Sequence, residues 1–152
     1  MISHAQLRQY PLFGALNAEQ LKAISMVSSE KEFKKGEVVF QENTAASKLF
    51  VVVEGEVDLF YGGGGEGAIV DAPVGSIAPG EIFGVSSLLE PYRYIDTAKA
   101  AKKTKVIEMD SSALRALCAV DHHLGHELLQ QILQAALERL KYTQIELAAA
   151  RA

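Results

Sequence analysis

The sequence predicts a mainly β chain, a barrel or sandwich of short strands with one helix before it and long helical segments after it. Three observations predict this. From Phe33 to about Met109 the chain breaks into short β-rich runs, EVVFQE, KLFVVVEG, EVDLFYG, AIVDA, GSIAPG, DTAKA and TKVIEMD, punctuated by glycines. Before them, Asn17 followed three residues later by Gln20 forms a capping-box pattern ahead of Leu21, Ile24 and Val27 at helical spacing. After Asp110 the apolar period returns to that of a helix.

Each element follows from local chemistry. The capping box places a helix over residues 15–28, and the β region spans 31–110. Gly36, Gly55, Gly75 and Gly80 sit singly at strand junctions, where turns need positive φ or close backbone approach. The run Gly62 to Gly65, with Gly67 beyond it, reads as a hairpin tip; no Gly-Lys-Ser/Thr follows, so it lacks the pattern of a phosphate loop. Helices occupy 111–150: a short one from Ser111 to about Ala119, then a long one capped by Asp121 and running to about Ala149. On the long helix Leu133, Leu137, Leu140, Gln144 and Leu147 alternate steps of four and three, a heptad-like stripe. Leu128, Leu129 and Ile132 widen the apolar face at its start. A single small barrel cannot cover so wide a face, so part of the helix is expected to dock on its own barrel and the rest to pair with a second copy.

A chain of 152 residues supports one domain, 1–152. Its hydrophobic fraction of 49% is that of a folded protein, and a formal net charge of -4 gives no general attraction to nucleic acid. Lys99, Lys102, Lys103 and Lys105 cluster, but read as a solvated strand edge and turn. With Cys118 the single cysteine, no intramolecular disulfide or Cys-rich metal site can form, and it lies on an apolar face with Leu114 and Leu117. His122, His123 and His126 lack the H-E-x-x-H arrangement and read as an exposed helix start. No signal-peptide or membrane-spanning pattern is present, so a cytoplasmic protein is expected, with no membrane partner. No nucleophile with a base and no paired carboxylates stand at a recognisable spacing, so no enzyme activity and no cofactor are expected.

The order FKKGEVVFQEN, LFVVVEGEVDLF, PGEIFGVSSLLEP, TAKA, TKVIEMD and two helices resembles the cyclic-nucleotide-binding domain of catabolite-activator (Crp-Fnr-type) regulators, cyclic-nucleotide-dependent kinases and ion channels. The resemblance covers nearly the whole chain. It implies an eight-stranded jelly-roll barrel, a double-stranded β-helix, with flanking helices. It also implies a phosphate-binding cassette beginning at Phe83 and Gly84 and continuing through Val85, Ser86 and Ser87, where a glycine and a short following helix present amides to an anion.

Two positions depart from the family pattern. Val85 stands where a glutamate would accept from the ribose hydroxyl. Counting back from Thr97, Ala98 and Ala100, the arginine that meets the cyclic phosphate is replaced by Tyr94, with Arg93 one place earlier and Asp96 inserted. Neighbouring residues of an extended segment point to opposite faces, so Arg93 and Tyr94 cannot both turn inward without a bulge. Losing two contacts worth roughly 1.5–3 kcal/mol each costs about 10²- to 10⁴-fold in affinity.

The resemblance therefore implies a stand-alone signal-sensing domain that does not bind cAMP or cGMP in the usual mode. Its ligand would be another small anion, anchored by Arg93, Ser86 and Ser87 with Val85, Tyr94 and Thr97 around it, unless the pocket is vestigial. The alternative is a dimeric interaction or scaffold module working through Leu133, Leu137, Leu140 and Leu147, with an unidentified protein as a further partner. A third reading is an ordinary cAMP receptor using Arg93. The regulators of this type carry a helix-turn-helix after the long helix; the chain ends at Ala152, so no DNA-binding output is expected.

Overall fold

The computed structural model describes residues 2–62 and 73–152. The expected strand AIVDA and the tip Gly63 to Gly67 lie outside the described residues. Two short N-terminal pieces come first, α1 (His4–Arg8) and a 3-10 turn at Pro11–Phe13, followed by α2 (Ala18–Met26). The strands are β1 (Ser28–Phe33), β2 (Val38–Phe40), β3 (Lys48–Glu54), β4 (Val57–Phe60), β5 (Gly75–Ile77), β6 (Ile82–Phe83), β7 (Thr97–Ala100) and β8 (Thr104–Asp110). A 3-10 turn, Val85–Leu88, follows β6, and α3 (Ser111–Val120) and α4 (His122–Arg151) complete the chain.

Among the described residues the strands form two four-stranded antiparallel sheets, in the orders β1-β8-β3-β6 and β2-β7-β4-β5. This is the expected jelly roll. The first sheet is covered on both faces, which explains why β3 reads as a nearly continuous apolar run. Leu49 and Val51 face the helices together with Ile107, Met109, Leu114, Leu124 and Leu128. Phe50 and Val52 face the barrel interior with Phe33, Phe40, Phe83, Tyr94 and Val106.

The capping box forms as the spacing predicts: Asn17 Oδ1 accepts from Gln20 N–H at 2.9 Å and Gln20 Oε1 accepts from Asn17 N–H at 3.0 Å. The helix it starts is shorter than 15–28, because the chain turns directly into β1 at Ser28. That strand begins three residues before the expected start of the β region. Its sequence, SSEKEF, buries only Phe33, as suits a charged edge strand paired on one side with β8. α1 went unread for a similar reason, since five residues carry too little apolar period, and Ser3 caps it through its side chain.

At the other end of α2, Gln20 is buried and its Nε2 donates to Asp121 Oδ2 at 3.1 Å and lies 2.9 Å from His123 Nδ1. Asp121 caps α4 by accepting from Leu124 N–H at 3.0 Å. This backbone hydrogen bond, and then the one from Gln20, hold the Asp121 carboxyl below the usual carboxylate range. A depressed folded-state pKa gives stability that is present at neutral pH and lost as pH falls through the carboxylate range. Asp121→Asn is therefore expected to melt below the parent at pH 7, and the gap to close from about pH 4 downward. Melting curves across that range check this; a gap independent of pH would assign Asp121 no charge-dependent role.

Candidate functional site

The site begins where β6 ends. β6 pairs with β3 in the register Phe50↔Phe83 and Val51↔Ile82, which points Phe83 into the barrel and Ile82 toward the helices. Gly84 then takes φ 77°, and a Cβ there would lie 3.0 Å from both Lys48 C=O and Phe50 Cδ2. Both the torsion and the approach require glycine. The 3-10 turn Val85–Leu88 follows. Val85 packs toward the helix-side core, so the cassette position of the expected ribose contact presents an apolar side chain away from the barrel. Ser87 is buried and its hydroxyl donates to Gly84 C=O at 2.8 Å, while Ser86 is half-buried. From α3, Arg115 donates to Ser87 C=O and lays its guanidinium 4.0 Å from the centre of the Tyr92 ring, fastening the turn from outside.

Residues 92–94 run against 43–46. Ala46 N–H donates to Tyr92 C=O at 2.8 Å, Tyr94 N–H to Thr44 C=O at 3.1 Å, and Asn43 N–H to Tyr94 C=O at 2.8 Å. Alternation then lets only one of Arg93 and Tyr94 enter the barrel. Arg93 turns outward, where Nε donates to Asn43 Oδ1 at 3.0 Å and a second guanidinium N–H donates to Asn43 C=O. Tyr94 turns inward, is 5% exposed, and stacks on Phe40 with centroids 3.7 Å apart and planes 9° apart. Its hydroxyl donates to Lys48 C=O at 2.9 Å and accepts from Lys48 N–H at 3.1 Å. Burial pushes the phenol's pKa up, so it stays neutral. Phe50 and Phe83, 4.8 Å apart, extend the stack, and a cavity of about 330 Å³ lined by Phe33, Phe40, Phe50 and Tyr94 lies beside it.

The remaining expected residue, Thr97, accepts from Glu42 N–H at 2.9 Å through Oγ1 and so ties β7 to the end of β2. The structure thus brings Phe83, Gly84 and Tyr94 together at the barrel interior. It directs Arg93 to the surface and commits the Ser87 hydroxyl to the turn. Asp96 is half-buried; desolvation raises its pKa, Arg139 opposes that shift and Glu42 adds to it.

Arg139 is the residue that sequence reasoning missed. It belongs to α4, whose two faces serve two surfaces. Leu124, Leu128, Ile132, Ala135 and Arg139 repeat at steps of four and three, and this face lies on the protein's own core, with Arg139 donating to Ile82 C=O. That spacing was the available signal. Turned well away at 100° per residue, Leu129, Leu133, Leu137, Leu140 and Leu147 are 53%, 60%, 57%, 52% and 47% exposed. The expected stripe is therefore uncovered along its length within the single chain.

Near the base of α4, Gly125 passes so close to α3 that an added Cβ would lie 3.2 Å from Cys118 Cβ. Burial raises the Cys118 thiol, which keeps it protonated and unreactive.

Comparison with known proteins places these features in a family. The model of the cyclic nucleotide-binding domain matches residues 30–121, which span β1 to the start of α4. A solved cyclic nucleotide-binding-type protein of Geobacter metallireducens GS-15 is 41% identical, superposes with a TM-score of 0.82, and is matched over 92% of this chain and 99% of its own. The cyclic AMP receptor protein of Thermus thermophilus is 29% identical over 134 residues, 84% of this chain and 60% of the relative. The Arabidopsis thaliana potassium channel SKOR is 23% identical over 143 residues, 92% of this chain and 16% of the channel. The chain spans less than two thirds of the length of these curated relatives. With the family model covering more than half of the chain and the jelly roll in place, this protein belongs to the cyclic nucleotide-binding domain family.

Proposed function

We propose that this chain is a non-catalytic, cytoplasmic regulatory domain whose barrel does not take a cyclic nucleotide in the usual mode and whose output surface is α4, paired with a second copy of the chain. The observation that carries the first half is Tyr94. At the position where the resemblance places a phosphate-binding arginine, a neutral phenol is stacked on Phe40 and hydrogen-bonded at both ends of its hydroxyl to Lys48. A cyclic phosphate there would have to displace a buried ring and would meet no cation from Tyr94 in return.

The second half rests on the leucine stripe of α4, exposed in the single chain and spaced for helix pairing. Relatives named as a cyclic AMP receptor protein and a potassium channel are in keeping with a signalling role. A small anion anchored by Arg93, Ser86 and Ser87 has less support, because Arg93 is held by Asn43 outside the barrel and Ser87 donates to Gly84. A cAMP receptor using Arg93 would need Arg93 and Tyr94 to exchange faces.

Isothermal titration of the purified protein with cAMP and cGMP tests the barrel. No saturable heat is expected up to millimolar ligand. Saturable micromolar binding of either nucleotide would overturn the reading of Tyr94.

A further inference from the structure

A cavity of about 200 Å³ lies between α4, the Pro11–Phe13 turn and β6, and its lining shares no residue with the aromatic layer of the barrel. Leu12, Ile82 and Ala135 supply an apolar floor, and Arg139 lines the wall. The guanidinium is half-buried, and desolvation pushes its pKa down. One of its N–H groups donates to Ile82 C=O, but no described carboxylate lies within the 4.0 Å of an ion pair. Glu81 and Asp96 act on the guanidinium at longer range and oppose the downward shift, and Glu81 accepts from Ala78 N–H at 2.8 Å in its own turn. A guanidinium offers five donors, so a half-buried one with a single carbonyl partner retains both charge and hydrogen-bonding capacity for an added anion.

We propose that this cavity binds a small monocarboxylate with a short apolar tail, its carboxylate on Arg139 and its tail on Leu12, Ile82 and Ala135. The volume corresponds to roughly seven waters, the room for a tail of roughly four to eight carbons. Glu81 and the exposed Glu138 also line the cavity, and their negative charge selects against dianions such as phosphate. The site is separate from the barrel interior and stands whether or not a cyclic nucleotide binds there.

The test is calorimetry and thermal shift with hexanoate, with hexanol and inorganic phosphate as the uncharged and dianionic comparisons. Hexanoate is expected to bind saturably and raise the melting midpoint, and the other two to do neither. Arg139→Gln is expected to weaken hexanoate by about tenfold or more. Ala135→Phe, which keeps the guanidinium and fills the cavity, is expected to lose hexanoate while remaining folded. Absence of saturable hexanoate binding, equal binding of phosphate, or undiminished hexanoate binding by Arg139→Gln would overturn the proposal. Should Arg139→Gln fail to fold, undiminished binding by Ala135→Phe would overturn it instead.

Discussion

Replacing Leu137 and Leu140 together by Glu is expected to leave a folded domain that no longer self-associates. Both side chains stand more than half exposed on the outer face of α4, while Leu124 and Leu128, on the inner face, are buried against the chain's own core. The substitutions therefore remove little from the monomer. In a symmetric pair each change counts twice, and burial of a leucine contributes about 1.5–3 kcal/mol. Adding a carboxylate with no partner to the centre of such a seam costs more. A loss of at least about 4 kcal/mol, roughly a thousandfold in dissociation constant, is expected. Sedimentation velocity at tens of micromolar should show a parent dimer and a variant monomer, with matching circular dichroism. A monomeric parent at that concentration would remove the second copy as the occupant of the stripe.

Gly55→Ala is expected to be the most destabilising single methyl that can be added at a described turn glycine. Gly55 joins β3 to β4 at φ 99°, and a Cβ would lie 2.5 Å from Thr104 Oγ1, 2.6 Å from Lys103 C=O and 2.7 Å from Thr104 Cα. The backbone atoms cannot move away, because Thr104 is held by the β1–β8 register and its hydroxyl reaches Glu56 and Lys102. Left-handed strain of about 1–2 kcal/mol adds to an overpacking cost of about 1–3 kcal/mol. For a chain of this length, about 3 kcal/mol corresponds to a fall of about 6–12 °C in midpoint. Gly36→Ala separates the two causes, since Gly36 has φ 84° but nothing within 4 Å of its added Cβ. It should lose only the strain. Equal losses in the two variants would show that the Thr104 contact contributes nothing.

Much of this organisation was legible before any coordinates. The capping box at Asn17 and Gln20, the cap at Asp121, and the turn glycines Gly36, Gly55 and Gly80 are local chemistry: a side-chain acceptor beside free N–H groups, or a torsion that only glycine adopts cheaply. Strands β3 and β8 were legible because their alternate residues serve two cores. β1 was not read to its true start, because a charged edge strand is held by pairing with β8 and not by its own apolar pattern.

The site divides in the same way. The sequence by itself determined that only one of Arg93 and Tyr94 could face inward, while the turn at Gly84 was expected from the family resemblance. The first follows from strand alternation, a property of the local chain. Tertiary structure alone decided which one it was: Tyr94 enters because Phe40 offers a ring to stack on and Lys48 offers both a donor and an acceptor, all distant in sequence. It likewise decided that Arg139 would meet Ile82, 57 residues away, and leave a cavity beside it. Contacts between distant segments depend on how sheets and helices pack, and that geometry exists only once the chain has closed on itself.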